Sequence, residues 1–403
     1  MQLWNAPVVS TELSSASITR RLASLGSERW ELHYEARKRI AAGEDIIELT
    51  IGEPDIATPE ALIDIAHQSM RAGRTGYAGG QGEKVLLNAL AQKYSNRTGR
   101  SISSSQILAL PGTQAALTLS MMSMVETGDA VLVPDPYYAT YEGVVHTAGA
   151  EFVAIPMALE NGYQLTVEQL ERAMAPNARV LLLNSPHNPT GATLSEHQIA
   201  AIGAFCKKHN LWILSDEVYE SLIYGKPFAS PFDNPDLADM TVAVSSISKS
   251  HAAPGFRSGW AVGPDWMIEK IQAIAESILF GNQPFIADMT AHAVLHPGDA
   301  ATHMKEAYQR RIDLLLAAFE QEDALVPLKP DAGMFMLVDV TATGMDGAEF
   351  ARALLENGVA VMPGNVFGEQ ANGLIRISLT VPDEQLQAAA QRIIQSARNQ
   401  LST

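Results

Sequence analysis

Thr241-Val-Ala-Val-Ser-Ser-Ile-Ser-Lys249 is a short apolar run that stops abruptly in serines and a single lysine. Three other stretches are built the same way. Ala130-Val-Leu-Val133 runs into Pro134-Asp-Pro-Tyr-Tyr138, and Arg179-Val-Leu-Leu-Leu183 runs into Asn184-Ser-Pro-His-Asn-Pro-Thr-Gly191. Leu211-Trp-Ile-Leu214 runs into Ser215-Asp-Glu-Val-Tyr219. Uniformly apolar runs of this length suit strands buried on both faces, as in a mostly parallel sheet covered by helices. Helix-like stretches such as Ser195 to Lys208 lie between them, so β and α alternate. In open α/β sheets ligands bind beyond the carboxyl ends of the strands, where all four polar clusters fall. The expectation is one site.

Outward from this core the pattern changes. After about Phe285 comes a long helical stretch, Ala291 to Phe319, then shorter mixed elements. Met334-Phe-Met-Leu-Val338, Val359-Ala-Val-Met362 and Leu374-Ile-Arg-Ile-Ser378 read as strands, and Glu384 to Leu401 as a closing helix. A second helix across Glu28 to Ala41 is expected to pack with them. The reading is an α/β protein with an N-terminal arm over residues 1–12, a small α+β domain from 13–46 and 297–403, and a large ligand-binding domain over 47–296.

A chain of 403 residues exceeds one compact core, in keeping with two domains. Its 47% hydrophobic and 18% charged residues are the balance of an ordinary globular protein. Against 45 acidic residues stand 28 Lys and Arg, a net charge of −17 that argues against nucleic acid or anionic membrane as partner. Any bound anion must be held by a few local cations and backbone N–H groups. Cys206 is the only cysteine, so no internal disulfide can form. The first residues lack the apolar core of a secretory signal, and no uncharged apolar run reaches membrane-spanning length. A cytoplasmic location is expected, and no metal site.

Taken singly, the polar clusters have plain readings. Lys249 could be a solvated surface charge, Asp216 a helix cap, and Asn188-Pro-Thr-Gly191 a turn. Gly112-Thr113-Gln114 before an apolar helix is an ordinary helix start, or an anion site. Arg257 and Arg376 could be surface arginines.

In this order and spacing they resemble the class I and II aminotransferases of the aspartate aminotransferase superfamily, fold type I. The elements that carry the resemblance are Asn184 to Gly191, Ser215-Asp-Glu-Val-Tyr219, and Ser246-Ile-Ser-Lys249 with Gly255-Phe-Arg257 closing eight residues on. It extends from about Ile47 to Gln395. It implies a mostly parallel seven-stranded sheet, a pyridoxal phosphate cofactor, and a homodimer with its sites at the subunit interface. Lys249 matches the lysine that carries the cofactor covalently and moves protons, which requires a partly desolvated amine. Asp216 matches the carboxylate that keeps the pyridine nitrogen protonated. Asn188 and Tyr219 match the pair that hydrogen-bonds the ring's phenolic oxygen, and Tyr138 the aromatic stacked on its face. For the phosphate the resemblance offers Gly112, Thr113 and Gln114 at a helix N-terminus, Ser246, Arg257, and Tyr77 lent by the neighbouring subunit. For the substrate α-carboxylate it offers Arg376, with Gly52 and Asn188 beside it.

Two positions depart from the family pattern: Ala253, where many relatives have Met or Leu, and Leu87, where an arginine often stands. His187 and His251 sit beside catalytic positions, but the resemblance gives the proton work to Lys249. From Gln106 through Asp135 there is no Lys or Arg, so a second substrate carboxylate has no obvious partner and aspartate is not favoured. Trp30-Glu-Leu-His-Tyr34, Ser250-His-Ala-Ala253, Phe280-Gly-Asn282 and Asp331-Ala-Gly-Met-Phe335 look like the bacterial arginine–pyruvate aminotransferase subgroup. Glu31 could meet a cationic substrate or simply favour a helix start. The expected reaction moves an amino group from a 2-amino acid, arginine or a neutral one, to pyruvate or 2-oxoglutarate. The alternatives are a β-lyase or racemase on the same scaffold, or a sensor without catalysis, for which the N-terminal arm is too short and too weakly basic to serve as a DNA-binding segment.

Overall fold

The computed structural model describes residues 15–25, 27–279 and 281–401. The arm expected over residues 1–12 and the position of Phe280 lie outside them. The strands are β1 (Ile47–Leu49), β2 (Ile107–Leu110), β3 (Ala130–Asp135), β4 (Glu151–Pro156), β5 (Ala178–Asn184) and β6 (Trp212–Asp216). They continue with β7 (Thr241–Ser246), β8 (Gly259–Val262), β9 (Val326–Leu328), β10 (Phe335–Asp339), β11 (Val359–Pro363) and β12 (Leu374–Ser378).

The large sheet has seven strands in the order β2-β8-β7-β6-β5-β3-β4. Only β8 runs against its neighbours, β2 and β7; the other pairings are parallel. Strands β3 and β7 are buried along their whole length, which is why they read as unbroken apolar runs. The edge strand β4 is mostly open and does not. All four apolar runs extend one or two residues into their polar clusters. Asp135, Asn184, Asp216 and Ser246 are therefore the last residues of β3, β5, β6 and β7, ranged along one edge of the sheet.

The second sheet has five strands in the order β1-β11-β12-β10-β9. Here the expected boundary at Ile47 needs correction. Strand β1 pairs in parallel with β11, Ile47 opposite Val359 and Leu49 opposite Val361, so these residues belong to the small sheet. Both Ile47 and Leu49 are buried in the small-domain core with Met304, Tyr308 and Phe350. A three-residue strand is too short to announce its sheet. The helical stretch expected over Ala291 to Phe319 is two helices, Pro284–Leu295 and Ala300–Phe319. Pro297 has no N–H to donate and Gly298 turns the chain at φ +59°, which separates them. The early helix spans Glu31–Ala41, after a 3₁₀ turn over Ser27–Trp30. No helix among the described residues is long and apolar enough to cross a membrane.

Candidate active site

At the carboxyl edge of the large sheet, where the small domain closes over it, lies a cavity of about 230 Å³. All four clusters reach it. Gly52, Thr113, Gln114, Tyr138, Asn188 and Asp216 line it, as do Tyr219, Ser246, Lys249, Arg257 and Arg376. Residues up to 326 positions apart in sequence, Arg376 and Thr50, are in hydrogen-bond contact here.

Asp216 is 4% exposed at the end of β6. Tyr141 donates a hydrogen bond to its Oδ2 at 2.9 Å and the Val218 N–H to its Oδ1 at 3.2 Å. Burial pushes the carboxyl up to about 6, and no cation acts on it to bring it back. Lys249 follows β7 in the short helix Ile247–Ser250, and its Nζ donates to the carbonyl of Gly52 at 2.5 Å. Burial pulls its amine down to about 8, which Glu53 partly opposes and Arg376 and Arg257 reinforce. A buried acid and a buried base thus titrate close to neutrality at neighbouring strand ends.

An anion cradle stands beside them. Helix Thr113–Met124 begins at Gly112, whose φ is +91°. A Cβ there would lie 2.2 Å from Nη2 of Arg257, so glycine is required for the guanidinium to approach the helix N-terminus. The Thr113 hydroxyl is buried without a hydrogen-bond partner. Ser246 caps the Lys249 helix, its hydroxyl accepting from the Ser248 N–H at 3.3 Å. Arg257 donates only to the carbonyls of Pro254 and Pro111 in this arrangement.

Arg376 approaches from the small domain in the middle of β12 and is 2% exposed. Its Nη1 donates to Asn188 Oδ1 at 3.1 Å and its Nη2 to the Thr50 carbonyl at 2.6 Å, while Nε has no partner. The guanidinium carbon lies 3.8 Å from the ring centre of Phe335 and 4.4 Å from that of Phe367. Burial lowers its pKa to about 10, and the groups that raise it are the phenols of Tyr219 and Tyr138, with no carboxylate among them. A buried fork without a counter-charge is poised for an anionic ligand. Asn188 also donates to the Tyr219 hydroxyl at 3.4 Å, and Tyr138 packs edge-on against Tyr141 with centroids 5.7 Å apart. Gly52 admits no side chain: a Cβ would lie 2.1 Å from the Phe335 ring.

Not every residue singled out in the sequence comes to this cavity. Tyr77 is 90% exposed and does not line it. His187 hydrogen-bonds Thr190 at 2.8 Å and borders a separate small cavity; burial lowers it to about 4. His251 is held by Ser250 and the Ala293 carbonyl and is also lowered to about 4 by burial. Glu31 pairs with Arg352 at 3.2 Å on the surface. Ala253 and Leu87 are both buried in the core behind the site. Two contributors carried no sequence signal of function: Tyr141 reads as an ordinary aromatic at a helix start and Phe367 as core. Asn184 opens a motif singled out in the sequence but without a role of its own, and its side chain accepts from the Asn188 N–H at 2.8 Å and donates to the Asp216 carbonyl at 3.1 Å.

These groups fit pyridoxal phosphate. The orphaned Thr113 hydroxyl, the glycine-opened helix start and Arg257 suit a phosphate. Asp216, buried without a counter-charge, suits a protonated ring nitrogen, and Lys249 an aldehyde.

The profile of the family described as aminotransferase class I and II matches residues 44–393. Arginine–pyruvate transaminase AruH of Pseudomonas aeruginosa is 38% identical over 94% of this chain and 96% of its own. Aspartate aminotransferase of Geobacillus stearothermophilus is 31% identical over 93% of this chain and 98% of its own. The solved structure of Thermus thermophilus aspartate aminotransferase with maleate superimposes with a TM-score of 0.89 at 30% identity, covering 96% of this chain and 100% of that one. Fold, site and relatives define an enzyme class, the aminotransferases. The chain belongs to the class I and II aminotransferase family. Membership implies dependence on pyridoxal phosphate, with amino acid and oxo acid substrates.

Proposed function

We propose that this aminotransferase takes its amino group from a basic or neutral 2-amino acid, arginine among them, and passes it to pyruvate or 2-oxoglutarate. One observation carries this reading. The only Lys and Arg side chains among the described residues lining the cavity are Lys249, Arg257 and Arg376. Each already has a task, at the cofactor aldehyde, the phosphate and the α-carboxylate. Among the described residues of this chain, no cation remains on the cavity wall for the second carboxylate of aspartate. The rest of the wall includes Trp30, Leu117 and Phe335, surfaces suited to an aliphatic stem. The similarity to an arginine–pyruvate transaminase supports the same choice.

Bound in this cavity, pyridoxal phosphate supplies an electron-withdrawing ring that stabilises negative charge at the substrate Cα. The chain's own residues bind and aim. Arg376 grips the α-carboxylate through its planar fork, with Asn188 and Gly52 beside it, and so fixes which Cα bond is presented. Lys249, neutral in an appreciable fraction near pH 8, takes the Cα proton and returns it on the cofactor side. Asp216 holds a proton on the ring nitrogen, itself steadied by Tyr141. Asn188 and Tyr219 donate toward the phenolic oxygen, and Tyr138 covers the ring face. Thr113, Gln114, Ser246 and Arg257 hold the phosphate, with Tyr77 of a neighbouring subunit completing it in a cytoplasmic homodimer.

A donor panel run on the holoenzyme with both acceptors tests the substrate reading. Arginine or neutral amino acids should lead. Aspartate far ahead of them would sink the proposal, and pyruvate or ammonia released without an oxo acid acceptor would indicate a lyase instead.

A further inference from the structure

The segment Asp216-Glu-Val-Tyr-Glu220 has two sides. Asp216 and Tyr219 face the cavity. Glu217 and Glu220 instead enter a buried cluster of charges gripped by the helix Lys84–Thr98. Arg97 Nη1 donates to Glu220 Oε2 at 2.7 Å, and Nη2 lies 3.1 Å from Glu217 Oε2, an ion-pair contact without hydrogen-bond geometry. Its third partner, Asp233, is 2.8 Å away and belongs to a different loop. The guanidinium is held between the rings of Tyr94 at 4.6 Å and Phe228 at 5.1 Å. Lys93 pairs with the other oxygen of Glu220, and the Ser230 hydroxyl donates to Glu217, whose residue is 0% exposed.

Stability alone does not call for such a cluster. Burying Glu217 and Glu220 and most of Arg97, with Lys93 and Asp233 left at the partly open rim, is costly, and packed apolar side chains commonly do as well. Charged contacts do fix direction and register, which apolar ones leave loose. Asp216 itself is held by the sheet, its carbonyl accepting from the Ser185 N–H and Asn184 Nδ2, both at 3.1 Å. The turn beyond it is closed by local bonds, Glu220 N–H to the Glu217 carbonyl at 2.9 Å and Leu222 N–H to the Tyr219 carbonyl at 2.8 Å, which set its shape but not its direction. Rotation of that turn would carry Tyr219 with it and withdraw the Val218 N–H that orients the Asp216 carboxylate at 3.2 Å.

We propose that Arg97 is a positioning residue for the transamination: by gripping Glu217 and Glu220 from behind, it sets Asp216 and Tyr219 against the cofactor ring. This rests on the roles given above to Asp216 and Tyr219. The discriminating pair is Glu220→Gln and Asp233→Asn. Each removes one carboxylate from Arg97, but only Glu220 lies on the segment that carries the site.

The variants Arg97→Met, Arg97→Lys, Glu220→Gln, Asp233→Asn and Asp216→Asn, with surface Lys208→Met as control, are prepared as holoenzymes. Measured for each are kcat, KM and the pH midpoint of the cofactor absorbance. Pyridoxal phosphate affinity and amide exchange across residues 215–220 are measured on the cofactor-free protein. Arg97→Met should lower kcat about tenfold or more with KM changed less, shift the midpoint by about half a pH unit, and speed exchange in the segment. Arg97→Lys should recover part of each loss. Glu220→Gln should move the midpoint, whereas Asp233→Asn should leave it in place. If Arg97→Met does not accumulate folded, the Glu220 and Asp233 pair decides alone. An unshifted midpoint with kcat within about twofold of wild type in Arg97→Met or Glu220→Gln overturns the proposal, as does identical behaviour of the pair. An active Asp216→Asn would instead overturn the site reading; a crippled Asp216→Asn beside a silent Arg97→Met overturns only this inference.

Discussion

The two walls of the cavity are held by opposite means. On the large-domain side, Asp216 ends β6 and Lys249 sits in the short helix that follows β7, with burial shifting both toward neutrality: the acid up to about 6, the amine down to about 8. On the small-domain side, Arg376 is clamped between two phenylalanine rings, and burial lowers it only to about 10. All three groups are desolvated, yet at pH 7 only the arginine is far from its titration. The groups proposed to exchange or share protons are left poised near neutrality, and the one proposed to grip the substrate carboxylate stays charged throughout.

The sharpest way to break this contrast is to remove a poised group. Lys249→Ala should cost about 10⁴-fold or more in kcat with the fold unchanged, measured by single-turnover amino transfer and circular dichroism. Changing the gripping group should act differently. Arg376→Lys keeps the charge but loses the fork, and kcat/KM should fall about 10²-fold with a marked rise in KM.

Asp216 tests the cost of leaving a poised group unpaired. Its ordinary pKa of 3.8 is raised to about 6 in the folded protein. Between these values the folded cofactor-free chain holds a proton that the unfolded chain has lost, so this group's contribution to stability falls as pH rises. Asp216→Asn has no such loss. Its stability relative to wild type should grow from about pH 4 to pH 7 by on the order of 2 kcal/mol, read from denaturant midpoints of the cofactor-free proteins, although its activity is largely gone. A flat difference would contradict the pKa assignment. The smallest effect is expected at Glu31, which pairs with Arg352 outside the cavity: Glu31→Gln should change kcat/KM for arginine by less than about twofold.

Much of the large-domain wall was legible because buried parallel strands leave an unbroken apolar signature, and the site begins where it stops. The apolar signature stops at Leu214 and Val244, and Asp216 and Ser246 end the strands two residues further on. The small-domain wall was less legible. Strand β12 was readable, and Arg376 stands out as a charge between isoleucines, but nothing in the sequence says that Phe335 and Phe367 close on it. An aromatic residue reads as core whether it packs on leucine or on a guanidinium. Tyr141 was missed for the same reason, since only contact with Asp216 distinguishes it from a helix-start tyrosine. Residues 47–49 fall on the large-domain side of the boundary expected from sequence because a three-residue strand carries too little pattern to be seen, and its pairing with β11 is set more than 300 residues away.

The central claim is that Lys249 is the residue that takes up pyridoxal phosphate. Borohydride reduction of the holoenzyme, followed by proteolysis and peptide mass spectrometry, tests it directly. One phosphopyridoxyl group per chain is expected, on the peptide containing Lys249 and lost in Lys249→Ala. The label on any other lysine, or its persistence in that variant, would contradict it.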